Sequence, residues 1–319
     1  MNFSVIIPFR NEKENLDDLL RTLAAQKTRS NYEIIMVDDF SDDGGYEIVK
    51  KYDAVKLLHR KDFADNPNIS SKQNALDIGV NFARYDFLLF TDADMVFDEN
   101  WIENYRVSIE KTVAEFIFSR TEIRPTKNFF EILQKTQLDF LFAAAFVFCK
   151  LNLDGSAMGN NLAVSKDTYQ KIGGQSAGGF SLVEDKKLLS LARRNKIKIY
   201  CTRDFSAYAF TKPVSPKNFL HQTLRWVKGG MAESKFLTAA LLAFALGNLL
   251  VVPSFILILL LIPVFLRNKT SIKYVFLLPF VFFIETIIIT WALFFVKLRW
   301  KNIDIQAKNS QNIRKFLRI

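Results

Sequence analysis

Short apolar runs alternate with stretches of helical periodicity through the first third of the chain. Residues 3–7 (FSVII), 33–37 (EIIMV), 54–58 and 87–90 (FLLF) read as strands, the last apolar on both faces and therefore buried. Leu16, Leu19, Leu20 and Leu23 fall at helical spacing behind Asn11 and Glu14, which together resemble a capping box. A short helix is predicted to end near Tyr52. Another opens at Lys72-Gln73-Asn74 and runs to about Ala83, after a polar loop containing Pro67. Strands and helices alternating at this spacing predict an α/β fold on a mostly parallel, twisted sheet covered on both faces. Each polar cluster follows a strand, which places them all on the carboxyl edge, where open α/β sheets bind ligands.

The second third is predicted as a helix from Trp101 to about Lys111 capped by Asp98, then a strand over 115–123. Residues 129–149 form a long aromatic-rich stretch. Its apolar part, 140–148, is too short to span a bilayer and is bracketed by Asp139 and Lys150. That leaves a buried helix or one lying in a membrane interface. Residues 159–165 (GNNLAVS) return to the sheet, 166–172 form a short helix, and the glycine-rich 173–179 reads as a mobile loop. An amphipathic helix with Leu188, Leu189, Leu191 and Ala192 starts behind Val183-Glu184-Asp185.

The last third changes character. Residues 236–266 carry no charge, a run longer than the roughly 20 residues of one crossing. Gly247, Asn248 and Pro253 are its break points, giving one kinked helix or a tight re-entrant pair. Residues 274–296 read as a second span interrupted by Glu285, and an ionisable group at that depth faces protein rather than lipid. The predicted organisation is a catalytic domain over 1–235, a transmembrane region over 236–296 with two spans or three, and a basic tail over 297–319.

Composition sharpens this. The chain has 319 residues, half of them hydrophobic, with 31 Phe and a net charge of +10. From Phe236 onward ten Lys/Arg face two acids, Glu285 and Asp304, so +8 of the +10 belongs to the membrane end and +2 to the rest. That placement argues against a nucleic-acid-binding face. With two spans, the basic tail and the catalytic domain share the cytosolic side of the cell membrane. Cys149 and Cys201 form no ligand pattern and read as reduced thiols. The chain enters a strand almost at once, so no signal peptide is expected.

The candidate chemistry sits at strand ends. After residues 87–90 come Thr91-Asp92-Ala93-Asp94, two carboxylates one residue apart, which would repel unless a divalent cation and a bound diphosphate lay between them. Asp38 and Asp39 end the second strand; Asp39 is placed to accept from a base N–H, and turn chemistry is the alternative. Lys72, at a helix start, can reach a phosphate. Together VIIPFRNE, MVDDFSDD, KQNALD and FTDADM resemble glycosyltransferase family 2, inverting sugar transferases with the Rossmann-like GT-A fold. The resemblance covers about residues 1–235. It implies that Asp39 contacts the nucleobase, Lys72 lies near the diphosphate, Asp92 lies near ribose and diphosphate, and Asp94 ligates Mg²⁺ or Mn²⁺. It also implies a nucleotide-sugar donor, usually a UDP-sugar.

Two further motifs extend the resemblance. Glu184-Asp185 matches the family's E-D motif, which makes Asp185 the general base; the alternative for either carboxylate is capping at a helix start. An inverting transfer needs such a base, because the attacking hydroxyl loses its proton as it attacks. Gln222-Thr223-Leu224-Arg225-Trp226 resembles the Q-x-x-R-W motif of the membrane-bound branch, found in cellulose, chitin and hyaluronan synthases. On a helix Gln222 and Trp226 share a face beside Arg225, offering an indole to a sugar ring and a guanidinium to the diphosphate. So few spans set the chain apart from polymer-secreting synthases and favour transfer to a lipid or lipid-linked glycan. Two rivals remain at this stage. A sugar nucleotidyltransferase needs a Gly-rich phosphate loop where this chain has Pro8-Phe9-Arg10-Asn11-Glu12, and a non-catalytic membrane scaffold would not need the acidic groups.

Overall fold

The computed structural model describes residues 1–204, 207–235, 238–239, 242–243, 277–294, 299–300 and 303–304. Its centre is strand β1 (Phe3–Phe9), buried along its whole length. Helix α1 (Lys13–Ala24) follows and buries Leu16, Leu19, Leu20 and Leu23, the predicted stripe. The predicted capping box is not there: Glu12 is the N-cap and gives no side-chain cap. Asn11 instead takes a left-handed φ of 56°, donating its N–H to Ser41 and accepting from the Asp42 amide, so it ties two loops together.

Next come β2 (Tyr32–Asp38), α2 (Gly45–Val49), β3 (Val55–His59) and a 3₁₀ turn (Arg60–Asp62). Helix α3 (Ser71–Asn81) carries the capping box of this half: Ser70 Oγ accepts from the Gln73 amide and Gln73 Oε1 from the Ser70 amide. Strand β4 (Phe87–Phe90) lies beside β1 in parallel. The chain then builds β5 (Met95–Phe97) and α4 (Trp101–Thr112), whose N-cap is Asn100 rather than Asp98. Asp98 accepts from the Asn100 amide and only shapes the turn before the helix.

The stretch read as one strand over 115–123 is two, β6 (Phe116–Phe118) and β7 (Thr121–Ile123), which join different sheets. Helix α5 (Phe129–Lys150), β8 (Leu162–Ser165), α6 (Lys166–Lys171) and α7 (Gly174–Ala177) follow. The expected mobile loop thus holds a helical turn, pinned to α3: Gln73 Nε2 donates to Gly179 O and Asp77 accepts from Ser176. Then come α8 (Glu184–Arg194), β9 (Ile199–Cys201), β10 (Ala209–Thr211) and α9 (Pro216–Glu233). Beyond them lie α10 (Leu278–Phe294) and the short pair β11 (Arg299–Trp300) and β12 (Ile303–Asp304).

The main sheet has seven strands in the order β3-β2-β1-β4-β8-β6-β9. Its pairs are parallel except that β8 runs antiparallel to β4 and β6. The expected mostly parallel sheet is present, with one reversed strand set into it. Alternation along β1 serves both faces: Phe3, Val5 and Ile7 pack against α1 and α4, Ile6 against α3. A second sheet, β5-β10-β7, lies beside the end of β4. The cysteines are free thiols, and the structure brings Cys149 on α5 close to Cys201 on β9.

Among the described residues, α5 is the one helix long and apolar enough to cross a membrane by length and composition. It is nevertheless built into the domain. Asp139 pairs with Arg120, and Lys135 with Glu122, all four side chains buried. Of the two expected spans, 236–266 lies outside the described residues apart from Thr238, Ala239, Leu242 and Ala243, and the second is a helix over Leu278–Phe294. Removing one partner of a buried ion pair strands the other charge. Asp139→Ala is therefore expected to destabilise the fold by about 3–5 kcal/mol, read as a lowered midpoint in urea unfolding followed by Trp fluorescence.

Candidate active site

Parallel pairing aligns the carboxyl ends of β1, β2 and β4. Thr91 N–H still donates to Ile6 O, so the chain leaves the ladder only at Asp92. Lys72, one residue inside α3, reaches across this edge. Its Nζ lies 2.7 Å from Asp92 Oδ1 and 2.6 Å from Glu184 Oε1, which joins the D-x-D segment to the E-D segment at the start of α8. Burial works against the Lys72 ammonium, but the two carboxylates outweigh it and hold its pKa above the ordinary lysine value. Burial alone would also raise Glu184. Lys72 and Arg225 reverse that and keep it below the usual glutamate value.

Asp185 is the opposite case. Burial and the adjacent Glu184 charge push its carboxyl up to about 6. The group is held rigidly: its oxygens accept from the Gly159 amide at 2.9 Å and the Lys186 amide at 2.7 Å. Gly159 is required by space, since a Cβ there would sit 2.6 Å from Asp185 Cβ. Gly159→Ala is expected to lower turnover at least about 10-fold by misplacing Asp185, with substrate KM nearly unchanged. Steady-state kinetics beside a melting curve checks this, because a merely structural defect would shift the melting temperature and leave kcat alone.

Asp94 lies beyond Asp92, with Oδ2 accepting from Thr211 Oγ1 at 3.2 Å. Burial, with the charges of Asp92 and Glu12, raises its carboxyl to about 6. Among the described residues no three His, Cys, Asp or Glu side chains gather as a metal cluster. The Asp92–Asp94 pair with the Thr211 hydroxyl is nonetheless an all-oxygen set that suits Mg²⁺ or Mn²⁺, which commonly complete their shells with water and substrate phosphate. A cation there would relieve the repulsion that raises Asp94.

One cavity of about 250 Å³ unites these groups. Lys72, Asp92, Asp94, Glu184 and Asp185 line one side, and Gln222, Arg225 and Trp226 of α9 line another. Gly229 lets α9 approach this closely, since a Cβ there would fall 2.2 Å from a Val183 methyl. Arg225 Nη1 donates to Leu182 O at 3.1 Å, which anchors α9 beside the E-D segment. Lys72 and Arg225, 153 positions apart in the chain, thereby face one space.

The aspartates after β2 divide. Asp39 accepts from Arg60 Nη1 at 2.5 Å and from Ser71 Oγ at 2.6 Å, so it lies at the start of α3, next to Lys72. Asp38 is fully buried, accepts from the Ser41 amide and faces His59 Nδ1 at 3.3 Å. It shapes the turn, and neither Asp38 nor Asp39 lines the cavity itself; Asp39 differs in adjoining it through Ser71, the residue before Lys72. Sequence reasoning missed Arg60, Ser71, Gly159 and Thr211. Only Gly159, in the GNN turn, carried a local signal.

The family model described as glycosyl transferase family 2 matches residues 4–172, just over half of the chain. Over 108 residues the chain is 32% identical to chondroitin synthase of Pasteurella multocida (strain Pm70), a match covering 33% of this chain and 11% of that protein. Over 120 residues it is 32% identical to cholesterol galactosyltransferase of Borreliella burgdorferi, covering 37% of this chain and 29% of that protein. The chain therefore spans less than a third of either relative's own length. Among solved structures, mannosyltransferase PcManGT from Pyrobaculum calidifontis, in complex with GDP-Man and Mn²⁺, superposes with a TM-score of 0.53. That likeness covers 99% of this chain and 79% of the other at 14% identity, and it shows a shared fold.

Proposed function

The chain belongs to glycosyl transferase family 2, and from that premise we propose a membrane-anchored, metal-dependent, inverting glycosyltransferase working at the cytosolic membrane face. It moves a sugar from a nucleotide-sugar, a UDP-sugar in this reading, to a hydroxyl on a lipid, a lipid-linked glycan or a polysaccharide. The observation that carries the proposal is the single cavity shared by Lys72, the Asp92–Asp94 pair, Glu184-Asp185 and the Gln222/Arg225/Trp226 face.

The roles follow from charge and reach. Asp185, the one carboxyl of the E-D pair raised toward neutrality, takes the proton of the acceptor hydroxyl. That oxygen attacks the anomeric carbon from the face opposite the nucleotide, the anomeric C–O bond breaks, and the nucleoside diphosphate departs. Glu184 is a poor base, since its lowered pKa marks it as the partner of Lys72 and Arg225. It holds those two cations beside the diphosphate, where they balance charge on the leaving oxygens. Trp226 offers its ring to a sugar, with Gln222 beside it. Asp39, oriented by Arg60 and Ser71, accepts from the nucleobase. Asp92 and Asp94 would hold a divalent cation, which supplies Lewis-acid neutralisation of the diphosphate when bound.

Anchoring rests on the charge-free run at 236–266, the apolar helix α10 and the +8 concentrated beyond residue 235. The test is nucleoside-diphosphate release from a panel of nucleotide-sugars by the detergent-solubilised protein, with lipid extract as acceptor. Release from one donor, dependent on Mn²⁺ or Mg²⁺ and abolished by EDTA, is expected. No release from any donor would favour the scaffold alternative.

A further inference from the structure

The cavity is not equally polar on all sides. Its catalytic floor is charged, but the wall formed by α5 runs from Gln134 to Phe148, fifteen residues and roughly 21 Å of helix. The polar members of that wall are engaged with the protein. Gln134 exchanges two hydrogen bonds with the Val214 backbone, at 2.8 and 3.0 Å, and Gln137 Nε2 donates to Thr223 Oγ1 at 3.2 Å. What α5 offers an incoming molecule is Leu138, Leu141, Ala144, Ala145 and Phe148, faced across the cavity by Phe219 and Val227 of α9. A glycan lying there would bury hydroxyls against methyl groups without partners. A hydrocarbon chain would lose no hydrogen bonds and would remove apolar surface from water.

The apolar wall continues outward. Leu133 and Ala143 of α5 pack on Leu278, Val281 and Phe282 of α10. The far face of α10 exposes Phe280, Phe283, Ile287 and Trp291, spaced as one helical stripe, with Phe283 65% exposed. Phe129, at the start of α5, meets Phe280 edge-on. The cavity wall and the exposed stripe thus belong to one packed pair of helices, so the side of the domain that would meet a bilayer is the side that carries the apolar wall.

We infer that the acceptor is an amphipathic lipid whose reacting hydroxyl sits at Asp185 while its hydrocarbon chain lies along α5. This rests on the transferase reading above and narrows its acceptor: the sugar is added at the lipid-proximal position, not at the far end of a long soluble glycan. The new bond joins the lipid oxygen to the anomeric carbon. The bond to the diphosphate breaks, and the proton goes to Asp185. Ala144 sets the bore of the channel, because it lines the cavity without filling it.

The experiment uses the full chain in lipid nanodiscs with n-alkyl β-glucosides from butyl to dodecyl as acceptors, beside a water-soluble oligosaccharide. KM is expected to fall about fourfold per methylene until the wall is covered. Ala144→Phe should stop that fall at shorter chains and raise KM for the longest at least tenfold, with nucleotide affinity by calorimetry reporting that the variant is folded. A second readout needs no turnover: an alkyl glucoside brominated along its chain should quench the Trp226 share of the fluorescence, defined against Trp226→Phe. KM independent of chain length, or preference for the soluble oligosaccharide without quenching, would overturn the inference and leave the transferase reading intact. Quenching with no turnover from any donor would overturn the transferase reading and support the lipid channel.

Discussion

Asp185→Asn is expected to lower transfer by about 10²–10⁴-fold, the usual contribution of a positioned general base, and to raise stability at neutral pH. The two effects share one cause. Burial and Glu184 lift the Asp185 carboxyl from 3.8 to about 6, so the folded protein binds that proton more tightly than the unfolded chain does. Its ionised form therefore costs stability above pH 6, and the cost fades as pH falls from about 6 to the unfolded value of 3.8. A neutral amide removes the charge, a gain on the order of 2–3 kcal/mol near pH 7. Asn has one acceptor oxygen where Asp has two, so the Gly159 or the Lys186 amide loses its partner, which takes back about 1 kcal/mol. Melting curves should show the variant above the wild type at pH 7.5 and slightly below it near pH 4, where only the lost hydrogen bond remains. The wild-type rate should fall about tenfold per unit below an apparent pKa near 6, because only the carboxylate can accept the proton. A flat acid limb would remove Asp185 from the base role.

The second large effect is expected at the other raised carboxylate. Asp94→Ala should reduce donor turnover by about 10²–10³-fold, the several kcal/mol ascribed to metal neutralisation of a leaving group. EDTA should bring the wild type to the same level and leave the variant unaffected, since the variant has nothing further to lose. Mn²⁺ titration by electron paramagnetic resonance in the presence of the nucleoside diphosphate reads the site directly. Wild type should remove free Mn²⁺ signal and Asp94→Ala should not. Equal chelator sensitivity in both proteins would place the metal elsewhere. Asp94→Ala should not disturb the fold: Asp94 accepts from Thr211 at 3.2 Å, and neither residue belongs to the two main core clusters.

The order of strands and helices in the first half was readable because period-two and helical spacings are local properties of the chain. So was the gathering of Asp39, Lys72, Asp92 and Asp94 on one edge, which follows once the strands are parallel. Asn11 shows the limit of local reading: its spacing to Glu14 mimics a cap, but its backbone is left-handed and its side chain joins another loop. Residues 115–123 fail for a related reason. Both halves are strand-like, and only sheet pairing assigns β6 to one sheet and β7 to another. Asp139 looked like a bracket of an apolar run, whereas its charge is buried against Arg120 inside the domain.

By itself the sequence determined the alternation that makes an α/β sheet, the membership of the family over residues 4–172 and the concentration of positive charge beyond residue 235. Tertiary structure alone decided which carboxylate differs from its neighbour. Glu184 and Asp185 are adjacent in the chain, but Lys72 and Arg225 hold one down while burial and the neighbouring Glu184 charge push the other up, which drives their pKa values apart. It alone also turned α5 so that its engaged glutamines and its apolar face form one wall of the cavity. Interactions between distant segments depend on how elements pack, and packing is settled by the sum of many contacts rather than by any one stretch of residues.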